Sequence, residues 1–137
     1  MAIVTDIKNG LKTRLETITG IRVHNQPVDS VQELPACIIL TEQIGYPLAF
    51  GGNAMEGQLR IVFLVDSAVK EQAMRTLDTY LHPGNGSAVI RAIYGDDSLG
   101  TTVDQIVSVS AENIGVRRLN DGDAIGADFV VRWVRSS

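Results

Sequence analysis

The stretch Gln58-Leu-Arg-Ile-Val-Phe-Leu-Val65 decides the fold. Leu59, Ile61, Phe63 and Val65 share one face of an extended chain, with Arg60, Val62 and Leu64 on the other. β-Branched and aromatic residues at a period of two predict a strand. The second face is partly apolar, so it too is expected to be covered, by a helix or by a neighbouring subunit.

Upstream lies Gln43-Ile-Gly-Tyr-Pro-Leu-Ala-Phe-Gly-Gly-Asn-Ala-Met-Glu-Gly57. Glycine and proline break regular structure, which predicts a long loop or a loosely paired hairpin. Long loops inside small domains are uncommon, and disordered linkers avoid large apolar groups. This stretch holds Ile44, Tyr46, Leu48, Phe50 and Met55. An extended arm that lays Tyr46, Leu48, Phe50 and Met55 on another subunit meets both facts. Further upstream, residues 36–41 form an apolar run of strand length, expected to be covered on both faces. Residues 21–25 alternate as a short half-buried strand, and Pro27 and Pro35 bracket the loop between the two. In the opening segment Val4, Ile7, Leu11, Leu15 and Ile18 recur at steps of three and four. That spacing predicts a helix stopped by Gly20 in a left-handed cap.

Downstream, Asp66-Ser67 predicts a helix start, and Val69, Ala73, Leu77 and Leu81 step by four along the helix. His82-Pro-Gly-Asn-Gly86 ends it. Ser87 is the expected cap of a shorter helix carrying Val89, Ile90 and Ile93, closed by Gly95. A strand from about Gln105 is expected to hold Val107, Val109 and Ala111 on one face and to extend to Leu119, with a bulge at Gly115. Asn120-Asp-Gly-Asp123 predicts a hairpin turn. The last strand sets Phe129, Val131 and Trp133 against Val130, Arg132 and Val134. This order predicts one α+β domain over residues 1–137. Its single mixed, mostly antiparallel β-sheet carries helices mainly on one face, plus the long loop or hairpin arm at 43–57.

A chain of 137 residues with 45% apolar and 20% charged residues has the make-up of one globular domain. The net charge of −4 argues against a surface that grips phosphate. Cys37 is the single cysteine, so no internal disulfide forms; its apolar run predicts a buried small residue rather than a catalytic thiol. No apolar run reaches the ~18 residues of a membrane span, and no basic-then-apolar leader opens the chain. Membrane insertion and export are therefore not expected.

Ser67-Ala-Val-Lys70 has the S-x-x-K spacing of serine acyl-enzymes, but the S-D-N and K-T-G elements are absent. A capping serine followed by a solvated lysine is the better reading. Gly84-Asn-Gly-Ser87 lacks the Walker lysine. Asp96, Asp97, Asp104, Asp121 and Asp123 lack the alternate spacing of a calcium loop, and His24 and His82 lack that of a zinc pair. No catalytic, cofactor-binding or metal site is predicted. Arg117 and Arg118 flank the turn and together read as a contact with protein or phosphate. Singly, each reads as a solvated strand charge that discourages edge pairing.

The whole chain resembles the tail terminator and tail-completion proteins of long-tailed bacteriophages. The resemblance rests on the opening helix with Leu11 and Leu15, Gly-Ile-Arg-Val at 20–23, Leu-Pro-Ala at 34–36 and the glycine-rich linker before residues 59–65. It continues through Leu77-Asp-Thr-Tyr-Leu81, Gly-Ser-Ala-Val-Ile at 86–90, Leu99-Gly100 and Gly126-Ala-Asp-Phe129. It implies a ring, typically a homohexamer, that caps the tail tube, ends its polymerisation and provides the docking surface for the head connector. The implied partners are copies of itself, the tail tube protein and the head–tail connector protein. DNA would pass through the lumen without specific binding, and no cofactor is implied. The implied location is the tail or neck of the virion, with the host cytoplasm during assembly. Three other readings stand beside it: a head-side connector or stopper, a small serine hydrolase using Ser67 and Lys70, and a monomeric cellular binding module.

Overall fold

A computed structural model describes residues 3–18, 20–24, 34–46, 54–67, 72–82, 84, 88–95, 105–119 and 122–135. The elements are α1 (Ile3–Leu15), β1 (Arg22–His24), β2 (Ala36–Gly45), β3 (Met55–Ser67), α2 (Ala73–Leu81), α3 (Val89–Tyr94), β4 (Gln105–Leu119) and β5 (Gly122–Arg135). The strands form one sheet in the order β1-β2-β3-β5-β4. β1 is parallel to β2, and every other neighbouring pair is antiparallel. The fold is therefore the α+β arrangement expected, with a mixed, mostly antiparallel sheet.

β3, the strand with the strongest apolar alternation, is the middle strand. Leu59, Ile61 and Phe63 lie opposite Val131, Phe129 and Ala127 of β5, and all six are buried. Ile7, Leu11, Leu15 and Ile18 from α1 and its exit, Leu77 of α2, and Val89 and Ile93 of α3 join the same core. The helices thus cover one face of the sheet. Phe63 sits where the layers meet, with its ring centroid 4.9 Å from Tyr80 and 6.1 Å, edge-on, from Phe129. Burying one such side chain contributes about 1.5–3 kcal/mol. Arg14 Nε donates to Ala92 O at 2.8 Å, placing a cation at the last carbonyls of α3. Gly20 takes the expected left-handed φ, +89°, but lies five residues past Leu15, where α1 ends, after a turn over residues 16–18.

The chain departs from sequence expectation at three places. First, Gly45 and Gly57, expected as breakers, lie in a ladder at the root of the arm, the paired form of the two expected: Gln43 pairs with Gln58, Ile44 with Gly57 and Gly45 with Glu56. Gly57 is present not to break structure but to admit a neighbour, since a Cβ there would collide with the Trp133 indole at Cζ2. Second, Asp66 and Ser67 do not start a helix. They continue β3 opposite Ile125 and Ala124, because β5 is long enough to give them a ladder partner. α2 begins at Ala73 after Gln72, which supplies no side-chain cap, and Ala88 rather than Ser87 precedes α3. Third, a register shift between Ile106 and Ser108 takes Val107 off the face it was expected to share with Val109. Val107 is 55% exposed, and Ile106 enters the core instead. A second shift, between Glu112 and Gly115, adjoins the expected bulge, with Asn113 at φ +52° and Gly115 at φ +143°.

Candidate interaction surfaces

β3 pairs with β5 from Met55↔Arg135 to Ser67↔Ala124, a span of up to about 35 Å at ~3.3 Å per residue. The β2–β3 arm leaves the sheet at the first end, and the β4–β5 hairpin closes at the second, where Leu119 pairs with Gly122. The arm and the Arg117–Arg118 pair, both expected at interfaces, therefore occupy opposite ends of the sheet.

At the arm end, Tyr46 is 66% exposed. Met55 behaves differently from the expectation: it is half-buried and packs against the chain's own core. Leu48 and Phe50 lie outside the described residues. An open cavity of about 300 Å³ sits at the foot of the arm, with Gln43, Glu56, Gln58, Val107, Arg132 and Val134 among its lining. Arg132 Nε donates to Gln58 Oε1 there at 3.1 Å.

At the other end, consecutive strand residues point to opposite faces, so Arg117 and Arg118 do not act as a pair. Arg118 is exposed opposite Asp123. Arg117 turns inward, and its Nη2 lies 2.7 Å from Asp128 Oδ1. This contact is an ion pair off the line of a hydrogen bond.

Asp128 belongs to an ionic cluster that crosses four strands on the face away from the helices. Arg60 Nη1 donates to Asp128 Oδ2 at 2.8 Å, and Asn113 Nδ2 reaches the same oxygen at 3.3 Å. Arg60 also grips Glu42 through Nε at 2.7 Å and Nη2 at 3.1 Å, and Nη2 lies 2.7 Å from Glu112 Oε1. Hydrogen bonding from Arg60 holds the Glu42 carboxyl below its ordinary pKa. The bonds to Glu42 and Glu112 raise that of the guanidinium in turn. Sequence reasoning noted Arg60 only as a polar residue on a second face and did not single out Asp128, Glu42 or Glu112. The available signal was a charge at an alternate position in each of two apolar strands, Arg60 and Asp128. Joining them required the strand register.

The remaining chemical candidates do not converge. Ser67 ends a strand rather than starting a helix, and Lys70 lies outside the described residues. His82 Nδ1 accepts from Gly84 N at 3.0 Å. Cys37 is buried, which pushes its thiol pKa up. Among the described residues, no group of His, Cys, Asp and Glu is arranged to hold a metal, and no helix is long and apolar enough to cross a membrane. Asp96, Asp97, Asp104, Asp121 and Ser87 lie outside the described residues. Compared with known proteins, the chain matches no family model and no curated protein.

Proposed function

We propose that the chain is a virion structural protein, a ring-forming tail terminator that caps the tail tube, ends its polymerisation and presents a docking surface to the head connector. The resemblance in element order and motifs suggests the family. The observation that carries the reading is the paired arm at one end of the sheet, with Tyr46 largely in solvent at its base. A ladder that continues to Gly45 and Glu56 gives the arm a rigid root, as a part that meets another subunit or the tube requires. Met55 and Arg117 are engaged within their own chain, so the contact reading rests on Tyr46, Leu48 and Phe50, with Arg118 at the far end.

The test replaces Tyr46, Leu48 and Phe50 together with serine. The variant is expected to melt like the parent and to fail in assembly, giving heads without tails and overlong tubes. Unfolding of the isolated variant would place these side chains in their own core and remove the basis for an arm. Normal finished tails with heads that leak DNA would instead favour the head-side connector.

A further inference from the structure

The two lateral strands of the sheet are β1 and β4. β4 is 15 residues long and contains neither lysine nor proline, two residues that commonly protect a free edge. Its Glu112 and Arg117 are engaged with Arg60 and Asp128 of their own chain. Its bulges interrupt the edge, yet Val107 and Ile114, which fall within them, are 55% and 50% exposed, and Val116 is 60% exposed. Among the described residues no strand pairs with the outer edge of β4, and such a row of backbone donors and acceptors beside apolar side chains recognises an extended strand.

We propose that β4 pairs edge to edge with β1 of a second copy. The inference deepens the ring reading and rests on it for the second copy. Three features agree in a single register. The first is polarity. β1 is parallel to β2, and three antiparallel steps then lead to β4, so β4 runs opposite to β1. A neighbour laid beside the sheet with the same face up therefore offers β1 antiparallel to β4, the slightly more stable pairing. The second is the match of faces. Arg22 and His24 lie on the face away from the helices, as do Glu112 and Ser110, whereas Val23 and Ala111 lie on the helix side. The third is charge. A register that sets Arg22 of the next copy opposite Glu112 also sets Val23 opposite Ala111 and His24 opposite Ser110, keeping every residue on its own face. Glu112 meets Arg60 through Oε1 and its side chain is still 47% exposed, so Arg22 would join an existing ion pair, and opposite charges facing each other across strands are favourable. Because β1 and β4 are different patches at opposite edges, the contact is heterologous and repeats around a ring.

The test is a His24→Cys, Ser110→Cys double variant of the full chain. Opposed antiparallel Cα atoms lie about 4.5–5.5 Å apart, within the roughly 4.4–6.8 Å that a disulfide spans. Mild oxidation is expected to convert the monomer into a ladder of multimers, while either single variant stays monomeric. Glu112→Arg is expected to abolish the multimer, and adding Arg22→Glu to restore it, with melting temperature as the control for folding. Rings seen by light scattering or microscopy without the cross-link would overturn the strand pairing and leave the ring reading standing. Dimers from Ser110→Cys alone would overturn it in favour of β4 pairing with its own copy. Absence of any multimer, with or without tail tubes, would overturn both.

Discussion

Replacing Asp128 with asparagine separates two ways of accounting for the ionic cluster. Counting charge, Arg60 and Arg117 face three carboxylates, Glu42, Glu112 and Asp128, so removing one negative charge balances the group. On that account the substitution is neutral or stabilising. Geometry predicts the reverse. The Asp128 side chain is 6% exposed and joins both guanidinia, whereas the side chains of Glu42 and Glu112 are 35% and 47% exposed. Surface pairs of the second kind contribute about 0–1 kcal/mol each. Breaking a buried pair by removing one partner costs about 3–5 kcal/mol. Both arginine side chains are 23% exposed, but Arg117 Nε and Nη2 are themselves buried, so water offsets only part of the loss and about 2–4 kcal/mol is expected, in line with ~1.5–3 kcal/mol for one hydrogen bond to a charged group. For a chain of this length that corresponds to a fall in melting temperature of roughly 6–16 °C. The assay is urea and thermal unfolding followed by fluorescence of the single tryptophan, Trp133, which is buried at 3% exposure. An Asp128→Asn variant within about 0.5 kcal/mol of the parent, the ordinary scatter of surface substitutions, would refute the geometric account.

Gly57→Ala is expected to cost about 1–3 kcal/mol by driving a methyl into the Trp133 indole, with a shift in its emission. Gly45→Ala should cost less, because the nearest atom is the movable end of Glu56 at 3.0 Å. The Glu42 carboxyl titrates below its ordinary value of 4.5 when folded. Its contribution is therefore present above that value and lost as the pH falls through the lowered one. The stability gap between the parent and Glu42→Gln, followed by denaturation at successively lower pH, should close over that range. Cys37 is fully buried and burial pushes its thiol pKa up; thiol reagents should label it only as fast as the chain unfolds, as timed labelling with and without denaturant would show.

Much of the fold was legible because each signal is local. The step of three and four from Ile7 to Leu15 specifies a helix face, and the alternation in residues 58–65 and 129–134 specifies two core strands. The losses came where a distant partner decides. Gly45 and Gly57 read as breakers until Trp133 and Glu56 are seen beside them. Asp66 and Ser67 carry the side chains of a cap, but distant ladder partners, Ile125 and Ala124, keep them extended. Val107 satisfies the alternation of a core strand, and only the register against Trp133 and Arg132 reveals that Ile106 takes its place. The ionic cluster was hidden for the same reason: Glu42, Arg60, Glu112 and Asp128 are far apart in the chain.

The cluster also bears on the expectation that DNA passes without being gripped. A guanidinium binds phosphate by presenting a planar fork of donors. The fork of Arg60 is already filled, with Nε and Nη2 on Glu42, Nη2 also against Glu112, and Nη1 on Asp128. A phosphate approaching that guanidinium would have to displace carboxylates rather than water. Arg117 differs: its Nη2 meets Asp128 in an ion pair rather than a hydrogen bond, and its Nε and Nη2 are buried, so that edge of the fork is closed to phosphate by burial. Around Asp128 the arginines are therefore already engaged, and a count of basic residues overstates the attraction of that patch for nucleic acid. If a ring of this chain surrounds DNA, that patch can line the passage without arresting what moves through it.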